Sequence, residues 1–320
     1  MAGNSPISIQ AGGNRSLIGL GIFPLLFELT KIRLSLYMGV SGATGFVLAQ
    51  TRPSTGAVAV GFWILVLAAG SAVVNNIQDR FYDKKFERTR GRVMPCARIS
   101  LPMAATLAMF FALTGIAGLC HLSFMAGALG GVALVLYNGI YTPLKKKCPM
   151  FALVPGAVCG MLPPAIGWAA ATVNDPGAGS MIHLWTFMAC LGVWQWPHSL
   201  LISAAFPSTL GNRMTTREMD WLIMIWTLLF SQSVLLFILQ QGIILKSLAI
   251  SMFLIFFLFP VFIAGVIFIP WDRKKEDTFC ADARKKACLI GFKLTNLVML
   301  TLFAAILTDR LTLFFVRGGI

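Results

Sequence analysis

The chain has 320 residues, of which 57% are hydrophobic and only 12% are charged, and its mean hydropathy is +0.79. This apolar share exceeds that of soluble domains and indicates a polytopic membrane protein. The formal net charge of +14 does not indicate a nucleic-acid partner, because the basic residues lie in short loops between apolar runs. The seven cysteines form no CxxC pair and no zinc-type cluster with histidine, so we predict free thiols.

The N-terminal region has two parts. Residues 1 to 16 are polar and rich in Gly, Ser and Asn, which predicts a flexible tail. Residues 17 to 27 form an apolar run that is too short for a span, and charged residues follow it instead of a small-residue cleavage site. We expect this run to be a retained interfacial helix, and residues 17 to 320 to form a single transmembrane domain.

Nine hydrophobic runs of bilayer-spanning length follow this helix. They cover residues 34 to 50, 57 to 77, 101 to 120, 122 to 142, 151 to 172, 181 to 205, 221 to 240, 245 to 270 and 290 to 315. The third and fourth runs are separated only around His121, which predicts a tight helical hairpin. The expected fold class is all-α, a polytopic bundle of nine transmembrane helices.

Basic residues alternate between the connecting loops. The loops after spans two, four, six and eight carry eighteen Lys and Arg, whereas the opposite loops carry only Arg52 and Lys246. Because basic loops stay in the cytoplasm, we predict a multi-pass protein of the cytoplasmic (inner) membrane with a cytoplasmic N-terminus and an external C-terminus.

Residues 75 to 95 are dense in both signs of charge. Asn75, Asp79, Asp83 and Glu87 recur every four residues, so on a helix they share one broad face. Carboxylates held this close together near a membrane are costly unless a cation or basic groups neutralise them, and oxygen ligands suit Mg²⁺. We interpret Asn75, Asp79 and Asp83 as metal ligands, with a diphosphate held by the basic residues that follow, namely Arg88, Arg90 and Arg92. The alternative is a solvated juxtamembrane helix with paired charges.

Span four is followed by another basic cluster. Lys145 and Lys146, together with Lys147, would hold the distal phosphate of such a ligand as point charges. A lysine triplet that only sets the topology is the alternative. Span five contains small residues and a proline pair, Pro163 and Pro164, which permit close helix packing and bend a helix, as is common where backbone lines a cavity.

Span six contains an aromatic and polar cluster, WQWPH, from Trp194 to His198. A histidine within an apolar span is usually a buried, hydrogen-bonded residue. Here it accompanies Gln195 and a helix-bending proline, so we expect His198 to face an internal cavity and to contact a large substrate.

Several blocks resemble one known family. The pattern NxxxDxxxD followed by RTRGR and Pro95 is similar to the first aspartate-rich motif of the UbiA superfamily of intramembrane prenyltransferases. Further blocks resemble one branch, the protoheme IX farnesyltransferases or heme O synthases: ELTKIRLSL from Glu28, YTPLKKK from Tyr141, GMLPPAIGW from Gly160 and WQWPH from Trp194. The resemblance covers residues 28 to about 200 in the same order.

The resemblance implies a helical bundle around a central cavity that opens to the bilayer. It implies an Mg²⁺-dependent transferase that joins the farnesyl group of farnesyl diphosphate to a vinyl group of heme b, giving heme O. Asn75, Asp79 and Asp83 would be catalytic through the metal, and the heme pocket would include Trp168, Trp194, Gln195 and His198. The implied partners are farnesyl diphosphate, heme b, the lipid bilayer and terminal-oxidase heme-biosynthesis or assembly proteins.

The sequence departs from this family after span six, where a second aspartate-rich motif is expected. The only acidic residues there are Glu218 and Asp220, whose spacing places them on different helix faces. Three interpretations follow: one metal with Lys and Arg suffices, these two acids substitute, or the chemistry has changed. The alternatives to heme O synthesis are a quinone or other aromatic acceptor and a non-catalytic relative that binds heme or an isoprenoid.

Overall fold

In a computed structural model, residues 21–50, 54–173, 179–206, 214–241, 263 and 278–317 are described, and these residues form helices and no strands. The helices of this part of the chain are α1 (Ile22–Leu29), α2 (Ile32–Ala49), α3 (Gly56–Asp83), α4 (Leu101–Leu122), α5 (Phe124–Val135), a π-helical turn (Leu136–Tyr141), α6 (Thr142–Lys147), α7 (Leu153–Ala171), α8 (Met181–Ala205), α9 (Thr216–Gln241) and α10 (Thr278–Arg317). The predicted all-α membrane fold is confirmed. The N-terminal tail lies outside the described residues.

Seven helical segments in the described residues are long and apolar enough to cross a membrane. They are α2, α3, α4, the continuous segment from α5 to α6, α7, α9 and α10. The 25-residue α8 packs among them, and its polar residues, such as Gln195 and His198, lower its hydropathy. The predicted span at residues 245 to 270 lies outside the described residues, apart from Ile263.

The predicted hairpin between the third and fourth spans is present. Ser123 alone separates α4 from α5, and its side chain accepts a hydrogen bond from the backbone N–H of Ala126. This cap satisfies one of the free N–H groups at the start of α5, so the chain reverses within a single residue.

Helices α2 and α7 approach each other through glycine. A Cβ atom added at Gly167 would lie 1.9 Å from the backbone oxygen of Gly42, and one added at Gly45 would lie 2.2 Å from the backbone oxygen of Pro164. The prediction that small residues in span five permit close helix packing is confirmed. This contact brings α7 against α2 and closes one wall of the bundle.

Helix α1 exposes apolar side chains, as a helix at a membrane interface would. Phe23 and Phe27 are 72% and 58% exposed, whereas Leu29 is buried. The helix runs to Leu29, slightly beyond the predicted end, and Glu28 ties it to the loop after α3 by accepting a hydrogen bond from the N–H of Val93 at 2.9 Å. The start of the chain is thereby held beside that basic loop.

Six cysteines have described side chains, and all six are free, as predicted: Cys96, Cys120, Cys148, Cys159, Cys190 and Cys288.

Candidate active site

Helix α3 buries the three predicted ligands at its C-terminal end. Asn75, Asp79 and Asp83 are 1%, 2% and 6% exposed, and the Nδ2 of Asn75 donates to Asp79 Oδ2 at 3.1 Å. Their four-residue spacing therefore gives one polar face, as predicted. The prediction is wrong for Glu87, because α3 ends at Asp83 and the chain turns away, with the hydroxyl of Thr89 donating to the Asp83 carbonyl oxygen.

Two lysines from α6 neutralise Asp79. Lys145 Nζ lies 3.3 Å from Asp79 Oδ2, and Lys146 Nζ lies 2.9 Å from Oδ1. Lys146 also donates to the carbonyl oxygen of Gln78 at 2.8 Å. Two basic loops far apart in sequence thus meet at one end of the bundle, which is the arrangement that the alternation of basic residues predicts.

Asp83 has a separate cationic partner. Arg92 Nη1 lies 2.9 Å from Asp83 Oδ2. Arg92 belongs to the turns between α3 and α4, so the RTRGR segment folds back onto the end of α3. Each of the two motif carboxylates is paired with a cation from a different segment.

Lys31 completes this arrangement, and the sequence-based site prediction missed it. It is the left-handed residue between α1 and α2, with φ 47°, and its Nζ donates to Asn75 Oδ1. Burial, together with repulsion from Lys145 and Arg92, lowers the pKa of Lys31 to about 7. Its occurrence in the ELTKIRLSL block was the only sequence signal that could have indicated a role.

These cations surround a polar basin of about 240 Å³. Lys31, Asp83, Arg88, Arg92 and Lys145 line it together with two serines of α8, Ser199 and Ser203. Burial and the neighbouring Arg92 lower the pKa of Arg88. Arg90 is exposed and does not line the basin. Lys146 does not line the basin either, and it forms its ion pair with Asp79 outside it.

An apolar cavity, also about 240 Å³, adjoins the basin. Its walls come from α2, α3, α5, the π-helical turn, α7 and α8, and they include Met38, Leu67, Ala133, Pro163 and Ile166. Tyr141 lines both the cavity and the basin, so the two spaces are neighbours on either side of this residue. Leu34 lines the cavity and also a surface groove along α1 and α2, and it is 42% exposed.

The junction is shaped by the π-helical turn. This turn stacks Tyr137 on Tyr141, with ring centroids 5.3 Å apart, and both rings line the cavity. Such turns insert a residue into an α-helix and are frequent at functional sites. Here the turn places an aromatic pair beside the lysines of α6.

The predicted acceptor residues divide into two groups. Trp194, Gln195 and His198 line the apolar cavity. Trp168 does not line it; its indole lies instead close to Gly179 and is buried in the core. A four-residue step along α8 explains the shared orientation of Trp194 and His198, and no comparable relation includes Trp168.

Helix α10 orients His198. Asn296 Oδ1 lies 2.8 Å from His198 Nδ1, and the ring of Phe292 packs against the imidazole with centroids 4.6 Å apart. Because an amide oxygen only accepts, this contact assigns the proton to Nδ1, and Nε2 has no hydrogen-bond partner among the described residues. Asn296 and Phe292 gave no signal in the sequence, since they lie in an ordinary apolar span.

The donor set at the end of α3 fits a hard cation. It consists of two carboxylates and an amide oxygen, whose present partners are the cations of Lys31, Lys145, Lys146 and Arg92. Asp79 Oδ1 is buried and has only the ion pair with Lys146, without a well-oriented hydrogen bond among the described residues, so a bound cation would take the place of these side chains. Oxygen donors of this kind suit Mg²⁺, which binds one or two carboxylates and completes its shell with water or phosphate oxygens. Among the described residues, no three Asp, Glu, His or Cys side chains lie close enough together to hold a metal ion, so a cation here would have few protein ligands.

Glu218 and Asp220 have other roles. Glu218 Oε2 accepts hydrogen bonds from the N–H and hydroxyl of Thr215 at the start of α9, which is a capping box. Asp220 is 5% exposed and forms a bidentate pair with Arg284 of α10, at 2.6 and 3.2 Å. The interpretation that these acids substitute for a second metal-binding motif is therefore not supported.

The fold and the site define a polytopic membrane protein with a cationic basin at a carboxylate motif and a neighbouring apolar cavity. The model of the UbiA prenyltransferase family matches residues 38–297. The chain belongs to the UbiA prenyltransferase family.

The curated relatives include protoheme IX farnesyltransferases from several organisms. The chain is 32% identical over 177 residues to the protein from Christiangramia forsetii, covering 53% of this chain and 55% of the relative. It is 34% identical over 189 residues to the mitochondrial protein from Arabidopsis thaliana, covering 55% and 41%, and 36% identical over 183 residues to the protein from Anaeromyxobacter sp., covering 56% and 59%. The matches span about half the length of these relatives.

Solved structures share the fold at low sequence identity. An apo UbiA homologue from Aeropyrum pernix K1 superposes with a TM-score of 0.65 at 16% identity, covering 87% of this chain and 98% of the other. A UbiA homologue from Archaeoglobus fulgidus bound to DMAPP and Mg²⁺ superposes with a TM-score of 0.59 at 14% identity, covering 88% and 98%. At these identities the likeness establishes the common fold.

Proposed function

We propose that this protein transfers the farnesyl group of farnesyl diphosphate to a vinyl group of heme b, giving heme O. The observation that carries the proposal is that two neighbouring spaces share Tyr141 as a lining residue. One is a cationic basin suited to a diphosphate, and the other is an apolar cavity suited to an isoprenoid and a porphyrin edge. The curated relatives named protoheme IX farnesyltransferase support the choice of acceptor.

The basin residues stabilise the leaving group. Arg88, Arg92, Lys31 and Lys145 contact or surround the position of the diphosphate, and their positive charge offsets the negative charge that grows on its oxygen as the C1–O bond breaks. Lys146 holds Asp79 in place. Exposed Arg90 lies outside the basin, and we assign it to the electrostatic attraction of the anion rather than to its binding.

Mg²⁺ is the proposed cofactor, with Asn75, Asp79 and Asp83 as its protein ligands. Bound there, it would supply Lewis-acid neutralisation of the diphosphate oxygens. The structures of UbiA homologues with Mg²⁺ and allylic diphosphates support this proposal.

The proposed reaction forms a bond between farnesyl C1 and the heme acceptor, so the acceptor must lie in the apolar cavity next to the basin. The farnesyl C1–O bond breaks with its electron pair leaving on the diphosphate, and the terminal vinyl carbon of heme b bonds to C1. Water then adds to the resulting cation beside the porphyrin, and the proton it releases is balanced by protonation of the diphosphate. Tyr137 and Tyr141 exclude bulk water from the reacting carbons, and His198, Gln195 and Trp194 contact the porphyrin.

The membrane context follows from the same proposal. Residues 17 to 320 form one transmembrane domain in the cytoplasmic membrane, with the basin at the cytoplasmic end and the N-terminus in the cytoplasm. The isoprenoid enters from the bilayer beside Leu34, and terminal-oxidase heme-biosynthesis or assembly proteins receive the product.

The test is an activity assay on purified protein in lipid nanodiscs with heme b, farnesyl diphosphate and Mg²⁺. We expect heme O by mass spectrometry from the wild type and none from Asp79→Ala. Thr114→Val, which removes a hydroxyl from an α4 helix position away from both spaces, serves as the matched control.

A wild type that leaves heme b unchanged, while a known heme O synthase converts it in parallel, would refute the proposal. Prenylation of a quinone precursor or other aromatic acceptor in the same assay would assign that acceptor instead. Binding of heme or farnesyl diphosphate without turnover would identify a non-catalytic relative.

A further inference from the structure

The wall of the apolar cavity includes Ser71, which is hydrogen-bonded to Asn138, a residue that does not itself line the cavity. Asn138 lies in the π-helical turn and is 7% exposed. Its Nδ2 donates to Ser71 Oγ at 2.7 Å and to the carbonyl oxygen of Leu134 at 3.2 Å. Ser71 and Leu134 both line the cavity.

The amide orientation is determined by these partners. The carbonyl oxygen of Leu134 only accepts hydrogen bonds, so the NH₂ group of Asn138 must face it. Both N–H groups are then used, and the remaining atom, Oδ1, is a buried acceptor to which none of the described residues donates. A buried acceptor without a donor is costly, so this atom requires an explanation.

Helix association explains only half of the pair. The bond between Asn138 Nδ2 and Ser71 Oγ joins the π-helical turn to α3, as polar side chains often do between transmembrane helices. Gln78 of α3 reinforces the contact by donating to the backbone oxygen of Asn138 at 3.0 Å. Neither bond uses Oδ1, so helix association does not account for this buried acceptor.

The unused hydrogen-bonding groups of the pair, one donor and one acceptor, suit a small ligand that both accepts and donates. Ser71 Oγ accepts from Asn138, so its hydroxyl hydrogen remains to donate, while Asn138 Oδ1 remains to accept. The two oxygens are at most about 5 Å apart, because the amide N and O are close and the N···O bond is short, and one molecule bridges that span with two ordinary hydrogen bonds. The ligand must donate and accept at once, which the small water molecule can do and a carboxylate, which only accepts, cannot.

We propose that Ser71 and Asn138 form a water-binding subsite, and that it supplies the water added to the prenylated vinyl group. This inference rests on the proposed function for its catalytic part. The water oxygen bonds to the carbocation beside the porphyrin, and the proton it releases is balanced by the departing diphosphate. Without the subsite the same cation loses a proton and gives an alkene, so the two residues decide between two products.

The experiment measures product partition in wild type, Ser71→Ala and Asn138→Leu. Mass spectrometry separates the hydroxylated product from the alkene, which lacks the elements of one water, and ¹⁸O-labelled water identifies the source of the hydroxyl. We expect the ratio of hydroxylated product to alkene to fall at least about tenfold in both variants while diphosphate release persists. Thr114→Val should keep the wild-type ratio.

A second measurement does not depend on turnover. An experimental density map of the wild type that resolves ordered water should show a peak within hydrogen-bonding distance of Ser71 Oγ and Asn138 Oδ1, and Asn138→Leu should lose it. Ser71→Ala provides a milder variant if Asn138→Leu does not fold.

The outcomes separate the two proposals. An unchanged product ratio in a correctly folded Ser71→Ala variant overturns the role of the subsite, and a wild-type map that shows other waters but none here overturns the subsite itself. A wild type with this peak but no prenyl transfer would refute the proposed function and the catalytic role, while the water site would stand.

Discussion

Lys31 donates a hydrogen bond to Asn75 Oδ1 and so joins the turn before α2 to the first residue of the motif on α3. Lys31 also lines the basin with Arg92 and Lys145. A diphosphate in the basin would gain a charge-assisted contact from this lysine, and such hydrogen bonds are worth about 1.5–3 kcal/mol. We therefore include Lys31 in the proposed anion site.

We expect Lys31→Gln to weaken pyrophosphate binding about tenfold or more, measured by calorimetry on detergent-solubilised protein. Lys84→Gln is the matched control, because Lys84 is exposed and does not line the basin. Equal dissociation constants for the two variants would show that Lys31 only supports Asn75.

Metal binding should depend on the α3 carboxylates. Mg²⁺ with pyrophosphate should raise the unfolding temperature of the wild type, since a ligand that binds only the folded state stabilises it. The shift should be lost in Asp79→Asn and reduced in Asp83→Asn, and EDTA should abolish the part that needs metal. A full shift in Asp79→Asn would remove this residue from the ligand set.

Heme binding should report on His198. Addition of heme b to the wild type should change the Soret absorption, and His198→Ala should reduce or remove that change. Asn296→Leu should have a smaller effect in the same direction. This variant removes the hydrogen bond that holds the proton on His198 Nδ1 and so keeps Nε2 as the acceptor. Identical spectra for wild type and His198→Ala would place the porphyrin elsewhere.

The capping and pairing roles of the α9 acids predict effects on stability without effects on metal dependence. Asp220→Ala should destabilise the fold by about 3 kcal/mol, because it leaves Arg284 half-buried without its partner. Glu218→Gln should cause a small loss at the start of α9. Neither variant should change the Mg²⁺ concentration that gives half-maximal activity, and a clear increase in Asp220→Ala would restore its candidacy as a second metal ligand.

The contact of α2 with α7 should not tolerate a methyl group. Gly167→Ala should destabilise the protein by about 1–3 kcal/mol, because the new Cβ would overlap the backbone oxygen of Gly42. At Gly131 nothing lies within 4 Å of an added Cβ, so Gly131→Ala should be neutral or slightly stabilising. Thermal unfolding in one detergent compares the two, and equal midpoints would contradict the close approach.

Local sequence was sufficient for the features that depend on spacing along one helix. Hydropathy predicted the all-α membrane fold, and the short separation of two apolar runs around His121 predicted the hairpin, whose turn lies at Ser123. The period of four determined the shared face of Asn75, Asp79 and Asp83, because helix geometry alone relates residues one turn apart. The same period on α8 brought Trp194 and His198 to one wall.

Tertiary packing decided everything that joins different helices. Lys31 and Asn75 are 44 positions apart, and His198 and Asn296 are 98 apart, so neither contact follows from a local pattern. Glu87 continues the four-residue spacing of the motif, but α3 ends at Asp83, so Glu87 does not share the helical face of the other three residues. Trp168 lay in a recognisable block yet packs away from the cavity. These outcomes depend on how the helices cross. Close glycine contacts and interhelical hydrogen bonds determine that crossing, and no single segment of the sequence encodes it.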